Sequence, residues 1–536
     1  MKALYFPSSV FRYVLLFVPF FSASQRTFIE IKKGVSEELA QYRKKVLDDV
    51  HYNLNFNIPA EKSKAIAASI TISFNLKENL HSLPIDFKEE RAAIKSVTVN
   101  GSETPIICRE EHIVIDQKLL RKGVNAIKIY FTAGELSLNR NNDYLYTLLV
   151  PDRSRTVFPC FDQPNIKAHF QLSLSIPKQW KALSNSPLQD SVVEENTKVY
   201  RYKESDLFST YLFSFATGRF EEATETVAGR TMHFYYRETD SIKIRLSVDT
   251  IFKQHATAIN YLENYTGIPF PFQKLDFVAI PDFQYGGMEH VGAIDYKAAS
   301  LFLDSGATKD QQNARSNLIA HETSHMWFGD LVTMQWFNDV WMKEVFANFM
   351  ADKITQESGT NYELKFLLTH LPRAYAVDRT AGANPIRQQL SNLQEAGTLY
   401  GAIIYDKAPV MMRQLERLMG ASAFRQGIKT YLRKYSFSNA TWPDLITILD
   451  SLTPTDLQAW NKVWVNTPGR PQFSYVLRQT NGLIKKLAMS QKGEHRAGYF
   501  LPQVFEIALV YNDHIEEHTV IMKGREAVVK EVEGKK

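Results

Sequence analysis

Two hydrophobic periods divide the chain. From Asp48 to about Phe220, apolar and polar residues alternate, as in HYNLNFNI at 51–58 and FQLSLSI at 170–176, with Gly, Asn and Pro between such runs. Period-two alternation buries one face of a sheet and leaves the other wet, which predicts an antiparallel β domain over 48–220. Near Arg245 the period lengthens: Phe252, Ala256, Ile259 and Leu262 share one helical face, and Gly267 followed by Pro269 marks its end. Helical patterns also cover 309–329, 339–358 and 407–420, and another begins at Thr441, where Thr caps and Pro443 suits the first turn. A short strand-like run, 275–280, precedes the first of these. Beyond 468–471 (PGRP) alternation returns, as in VFEIALV at 504–510. The pattern predicts a multidomain α+β protein: a β domain at 48–220, a mixed helical domain at 221–468 and a β-sandwich-like segment at 469–536.

Composition narrows the class. With 44% hydrophobic and 23% charged residues over 536 positions, the chain is ordinary globular material, too long for one core. A net charge of +5 with no basic stripe carrying interleaved aromatics excludes a nucleic-acid groove. The only two cysteines, Cys108 and Cys160, exclude a disulfide framework and leave either one bridge or two buried thiols. Lys2 and Arg12 precede an apolar run, 13–21, followed by Ser22, Ala23 and Ser24. This predicts a signal peptide over 1–24, a short extension at 25–47, and export to a periplasmic or extracellular space. The run is too short for a stable anchor, and no later stretch approaches the roughly 18 apolar residues that would span a bilayer.

The chemistry centres on HETSH at 321–325. On a helix, His321 and His325 lie one turn apart on one face, so both imidazoles can reach one zinc ion, one per chain. Glu322 then stands beside the attacking water as general base. Glu344, in WMKEVFA with eighteen residues between it and His325, lies on the next helical pattern and completes a His-His-Glu set. Its apolar neighbours argue against an ordinary solvated glutamate.

With these motifs the sequence resembles the M1 family of zinc aminopeptidases. GGME at 286–289 is similar to the family's G-x-M-E-N, Tyr405-Asp406-Lys407 to its Y-x-K, and FPCFDQP at 158–164 to its F-P-C-F-D-E-P; together the motifs anchor about residues 48–470. The resemblance implies a β domain, a thermolysin-like catalytic domain, a small β-sandwich and a large helical domain. Only 66 residues follow Arg470, so the sandwich is expected in part and the helical domain not at all. It implies peptide substrates with a free N-terminus, whose α-ammonium Glu289 receives while Gly286, Gly287 and Met288 lie along the substrate backbone. It also implies that Tyr405 donates its hydroxyl to the oxyanion. Oligomeric state is left open.

Several positions depart from the family pattern. His290 replaces an asparagine and, beside Glu289, is placed to compete for that carboxylate. Val345 and Ala408 stand where glycine is frequent, and Val150 where relatives carry a second polar contact to the amine. The competing readings are a zinc endopeptidase or other hydrolase of the same fold, and a non-catalytic member. Glu289 speaks against an endopeptidase. Gly397, where an epoxide hydrolase branch carries aspartate, speaks against that branch, and the complete ligand and base set against a non-enzyme.

Overall fold

A computed structural model describes residues 30–357, 366–494 and 500–536. The signal-peptide pattern at 1–24 lies outside the described residues. The first described helix, α1 (Glu37–Val46), is capped by Ser36 and leads directly into strand Leu47–Asn57. It docks on the β domain through buried Arg43, which donates to Pro84 O and to the Asp86 carboxylate, both at 2.8 Å.

The main sheet of the β domain runs Leu188–Glu194, Thr197–Tyr202, Lys167–Pro177, Leu47–Asn57, Ala67–Leu76, Gly123–Thr132, Ile94–Val99 and Ser102–Thr104. Its pairs are antiparallel except one: Leu47–Asn57 lies parallel to Lys167–Pro177, with Val50 opposite Ala168. Alternation reports which face is buried, not which way a neighbour runs, so this pair departs from the antiparallel expectation. Cys160 is buried, but Cys108 is exposed and both are free, so neither the bridge nor a pair of buried thiols is realised.

A second, five-stranded sheet follows, in the order Glu221–Val227, Arg230–Tyr236, Asp276–Ile280, Ala293–Lys297, Gly287–Met288. Its last strand pairs antiparallel with Ala293–Lys297 and forms an edge. Helix α2 (Ser241–Thr266) starts at the Asp240 cap and buries the face read from the sequence, Phe252, Ala256, Ile259 and Leu262. Helix α3 (Lys309–His325) opens with a reciprocal Thr308–Gln311 capping box and ends four residues before the expected Gly329. That glycine, at φ 132°, turns the chain back where a side chain would press on Lys343 Cβ and His325 Nδ1, at 3.1 and 3.3 Å. The returning helix, α4 (Trp341–Glu357), packs against α3. A π-helical turn, Ile403–Lys407, precedes α5 (Ala408–Met419). Thr441 caps the helix Trp442–Asp450 in a box with Asp444, as the sequence predicts.

After Arg470 the chain forms a three-stranded sheet and the hairpin Gln503–Val510/Ile515–Met522. They share a small core of Ile484, Leu487, Val520, Val529 and Val532, separate from the main one. The fold is therefore multidomain α+β, with β-rich, helical and terminal β parts. Among the described residues, no helix is long and apolar enough to cross a membrane.

Candidate metal and active site

One cleft of about 1130 Å³ collects the residues singled out from the sequence: Gly286, Gly287, Met288 and Glu289 from the edge-strand segment, His321, Glu322 and His325 from α3, Glu344 from α4, and Tyr405 from the π turn. One face of α3 (Asp310, Asn313, Ala314, Asn317, Leu318) extends the wall three turns from His321.

The histidine tautomers are set by their outer nitrogens. His321 Nδ1 donates to Asn348 Oδ1 and His325 Nδ1 to Phe328 O, both at 3.0 Å. Each Nε2 is left with its lone pair, and the two converge at 3.2 Å. Burial pulls His325 down to about 4, which keeps it neutral at pH 7. Glu344 Oε2 closes the triangle at 3.6 Å from His321 Nε2 and 3.8 Å from His325 Nε2. Two facing lone pairs beside a carboxylate oxygen form a donor set that one cation could bridge. Edges of this size suit a tetrahedral zinc ion, whose ligand atoms at 2.0–2.1 Å from the metal stand about 3.3 Å apart. The donor set therefore fits zinc. Asn348, which holds the outer nitrogen of His321, is the residue that sequence reasoning missed; it lies one turn beyond Glu344 on α4, so the same i, i+4 rule identifies it.

Glu322 is buried and offers an oxygen within 4.8 Å of donor atoms of Glu289 and His325. Burial pushes its carboxyl up to about 8; His321 opposes this, and Glu289 and Glu344 add to it. Its carboxylate rests on Gly287, where a Cβ would collide with it. Gly287→Ala is expected to displace Glu322 and, if Glu322 serves as the base, to lower peptide turnover about 10- to 100-fold without loss of metal affinity. Steady-state rates beside metal analysis check this, and unchanged turnover would show that the contact is dispensable.

Glu289 enters the cleft but is not part of the His-His-Glu set. Its Oε1 accepts from Lys343 Nζ at 2.5 Å, and the same ammonium donates to Glu344 Oε1 at 2.7 Å. Lys343 was not foreseen, although a lysine inside the apolar stretch WMKEVFA was a signal that it needs a buried anion. His290 departs from expectation: it is fully buried and turns to Asp295, with Nδ1 3.4 Å from Oδ2. Val150 does line the cleft and offers Glu289 no polar partner. Tyr405 stacks at 28° on Tyr400, with centroids 6.3 Å apart, and burial followed by nearby Glu344 raises its hydroxyl pKa, so it remains a donor.

Comparison with known proteins fits this geometry. Residues 251–464 match the peptidase family M1 domain and 48–212 the peptidase M1 N-terminal domain. The chain belongs to peptidase family M1. Similar proteins include aminopeptidase M1-C of Oryza sativa subsp. japonica, 30% identical over 71% of this chain and 43% of the relative. The leucyl aminopeptidase of Saccharolobus solfataricus is 32% identical over 59% of this chain and 40% of the relative. Aminopeptidase N of Streptomyces lividans is 28% identical over 86% of this chain and 55% of the relative. The chain thus spans about half the length of the curated relatives it matches.

Proposed function

We propose that this M1 chain is a zinc-dependent aminopeptidase that removes residues from the free N-terminus of peptides. The observation that carries the reading is Glu289, a buried carboxylate beside the ligand set but outside it. A carboxylate so placed favours a substrate that brings a positive charge one residue from the bond to be cut. Held by His321, His325 and Glu344, zinc would supply Lewis-acid polarisation of the scissile carbonyl and acidify the attacking water. Glu322 takes the proton from the attacking water and passes it to the leaving amine. Tyr405 donates to the oxygen that gains charge as the tetrahedral centre forms. Gly287 and Met288, on the sheet edge, leave room for an extended substrate backbone to align as a further strand.

The test is a matched peptide pair, one free and one N-acetylated, digested by the zinc-loaded protein and followed by mass spectrometry. The free peptide should shorten stepwise from its N-terminus. The acetylated one should react about 10- to 100-fold more slowly, since Glu289 then loses a charge-assisted hydrogen bond of about 1.5–3 kcal/mol. Internal cleavage of both at similar rates would overturn the aminopeptidase reading in favour of an endopeptidase.

A further inference from the structure

We infer that Lys343 couples the amine-binding carboxylate to the metal-binding one, so that what occupies Glu289 alters how strongly Glu344 holds zinc. This rests on the roles proposed above for both carboxylates. The Nζ of Lys343 lies 2.5 Å from Glu289 Oε1 and 2.7 Å from Glu344 Oε1. All three residues are only 4% exposed. Little of any of the three is exposed, so one positive charge is divided between two anions. The Tyr211 ring, its centroid 5.9 Å from Nζ, contributes no formal charge to the balance.

Glu344 is divided in turn. Its Oε1 faces Lys343 and its Oε2 faces His321 and His325. The more Lys343 engages Oε1, the less negative charge Oε2 has for a metal. While Glu289 shares the ammonium, Glu344 keeps its donor strength. When Glu289 loses its charge, Lys343 turns wholly to Glu344 and weakens it as a ligand. An α-ammonium drawn to Glu289 acts in the same direction by competing with Lys343, and linkage requires the effect to be reciprocal. Val150, apolar at the cleft wall, provides no second group to relieve this competition.

The test is a double-mutant cycle read by zinc affinity in competition with a chromophoric chelator, using the full chain unmutated, with Glu289→Gln, with Lys343→Met and with both. Glu289→Gln should weaken zinc binding about 10-fold with Lys343 present and less than about 3-fold in the Lys343→Met background. Lys343→Arg keeps the charge and should preserve the coupling. Lys343→Gln is run in parallel, so that a poorly folding Lys343→Met does not decide the matter. An equal loss in both backgrounds would mean that Glu289 acts on the metal by direct charge alone, and would overturn the coupling. The cycle needs no turnover. Failure of the acetylated-peptide test alone removes the aminopeptidase reading, whereas absence of zinc binding by the unmutated chain removes the metal site and the coupling together.

Discussion

Glu322→Gln should retain zinc and lose about 10²- to 10⁴-fold in peptide turnover, the contribution typical of a positioned general acid–base group. The residue lies outside the converging His321, His325 and Glu344 donors, so an amide in its place leaves the ligand set intact. Gln has nearly the same shape, so the packing on Gly287 survives and a fall in rate is not a fall in stability. What is lost is proton affinity. Burial raises the Glu322 carboxyl to about 8, against the influence of His321 and aided by Glu289 and Glu344. A bound dication works the other way. In the proposed reaction the group accepts a proton from the attacking water and passes it to the leaving amine. Steady-state rates on a free peptide, with elemental analysis of the same sample, separate the two effects. Near-normal turnover with zinc bound would place the base elsewhere, whereas lost zinc would make Glu322 part of the metal site.

Those parts of the molecule that depend on one element's own periodicity were legible in the sequence. The buried face of α2, the Thr441 cap and the facing of His321 with His325 all follow from a 3.6-residue repeat and local hydrogen bonding. Glu344 was legible because a helix returning after a turn must place some residue against the first helix, and an acidic one within an apolar stretch stands out. What depends on relations between distant elements was not legible. The parallel pairing of Leu47–Asn57 with Lys167–Pro177 joins strands more than 100 residues apart whose alternation is the same in either direction. Lys343 adjoins Glu344 in sequence, and neighbours on a helix point about 100° apart, so only its long side chain, curling back to two anions, brings it to the site. His290 was expected at Glu289 by adjacency, but the strand ends at Met288 and the chain turns, with His290 N donating to Met288 O at 2.9 Å, so its ring faces Asp295 instead. The π turn under Tyr405 gives no periodic signal because it is a single turn.

Tyr405→Phe is expected to lower kcat about 10²- to 10³-fold, as loss of one oxyanion donor does, with KM and zinc affinity changed by less than about 3-fold. The turn that presents this tyrosine is fixed on both sides of it. The amide of Tyr405 donates to Gly401 O at 3.0 Å, buried His370 Nδ1 lies 3.1 Å from Asp406 Oδ1, and buried Lys407 Nζ donates to Asp378 Oδ1 at 2.8 Å. None of these contacts involves the phenol oxygen, so phenylalanine keeps the turn and the stack on Tyr400. The hydroxyl remains protonated because burial, then Glu344, raises its pKa, and a protonated hydroxyl stabilises charge that exists only along the reaction path. Ground-state binding of the substrate is therefore spared. Tyr400 is the internal control: its hydroxyl also lies at the cleft, buried and without a hydrogen-bond partner among the described residues. Tyr400→Phe should leave kcat within about 3-fold of the unmutated protein if Tyr405 is the donor. A large loss in Tyr400→Phe with little in Tyr405→Phe would transfer the oxyanion role to Tyr400, and a rise in KM alone for Tyr405→Phe would make that residue a binding contact rather than a catalytic one.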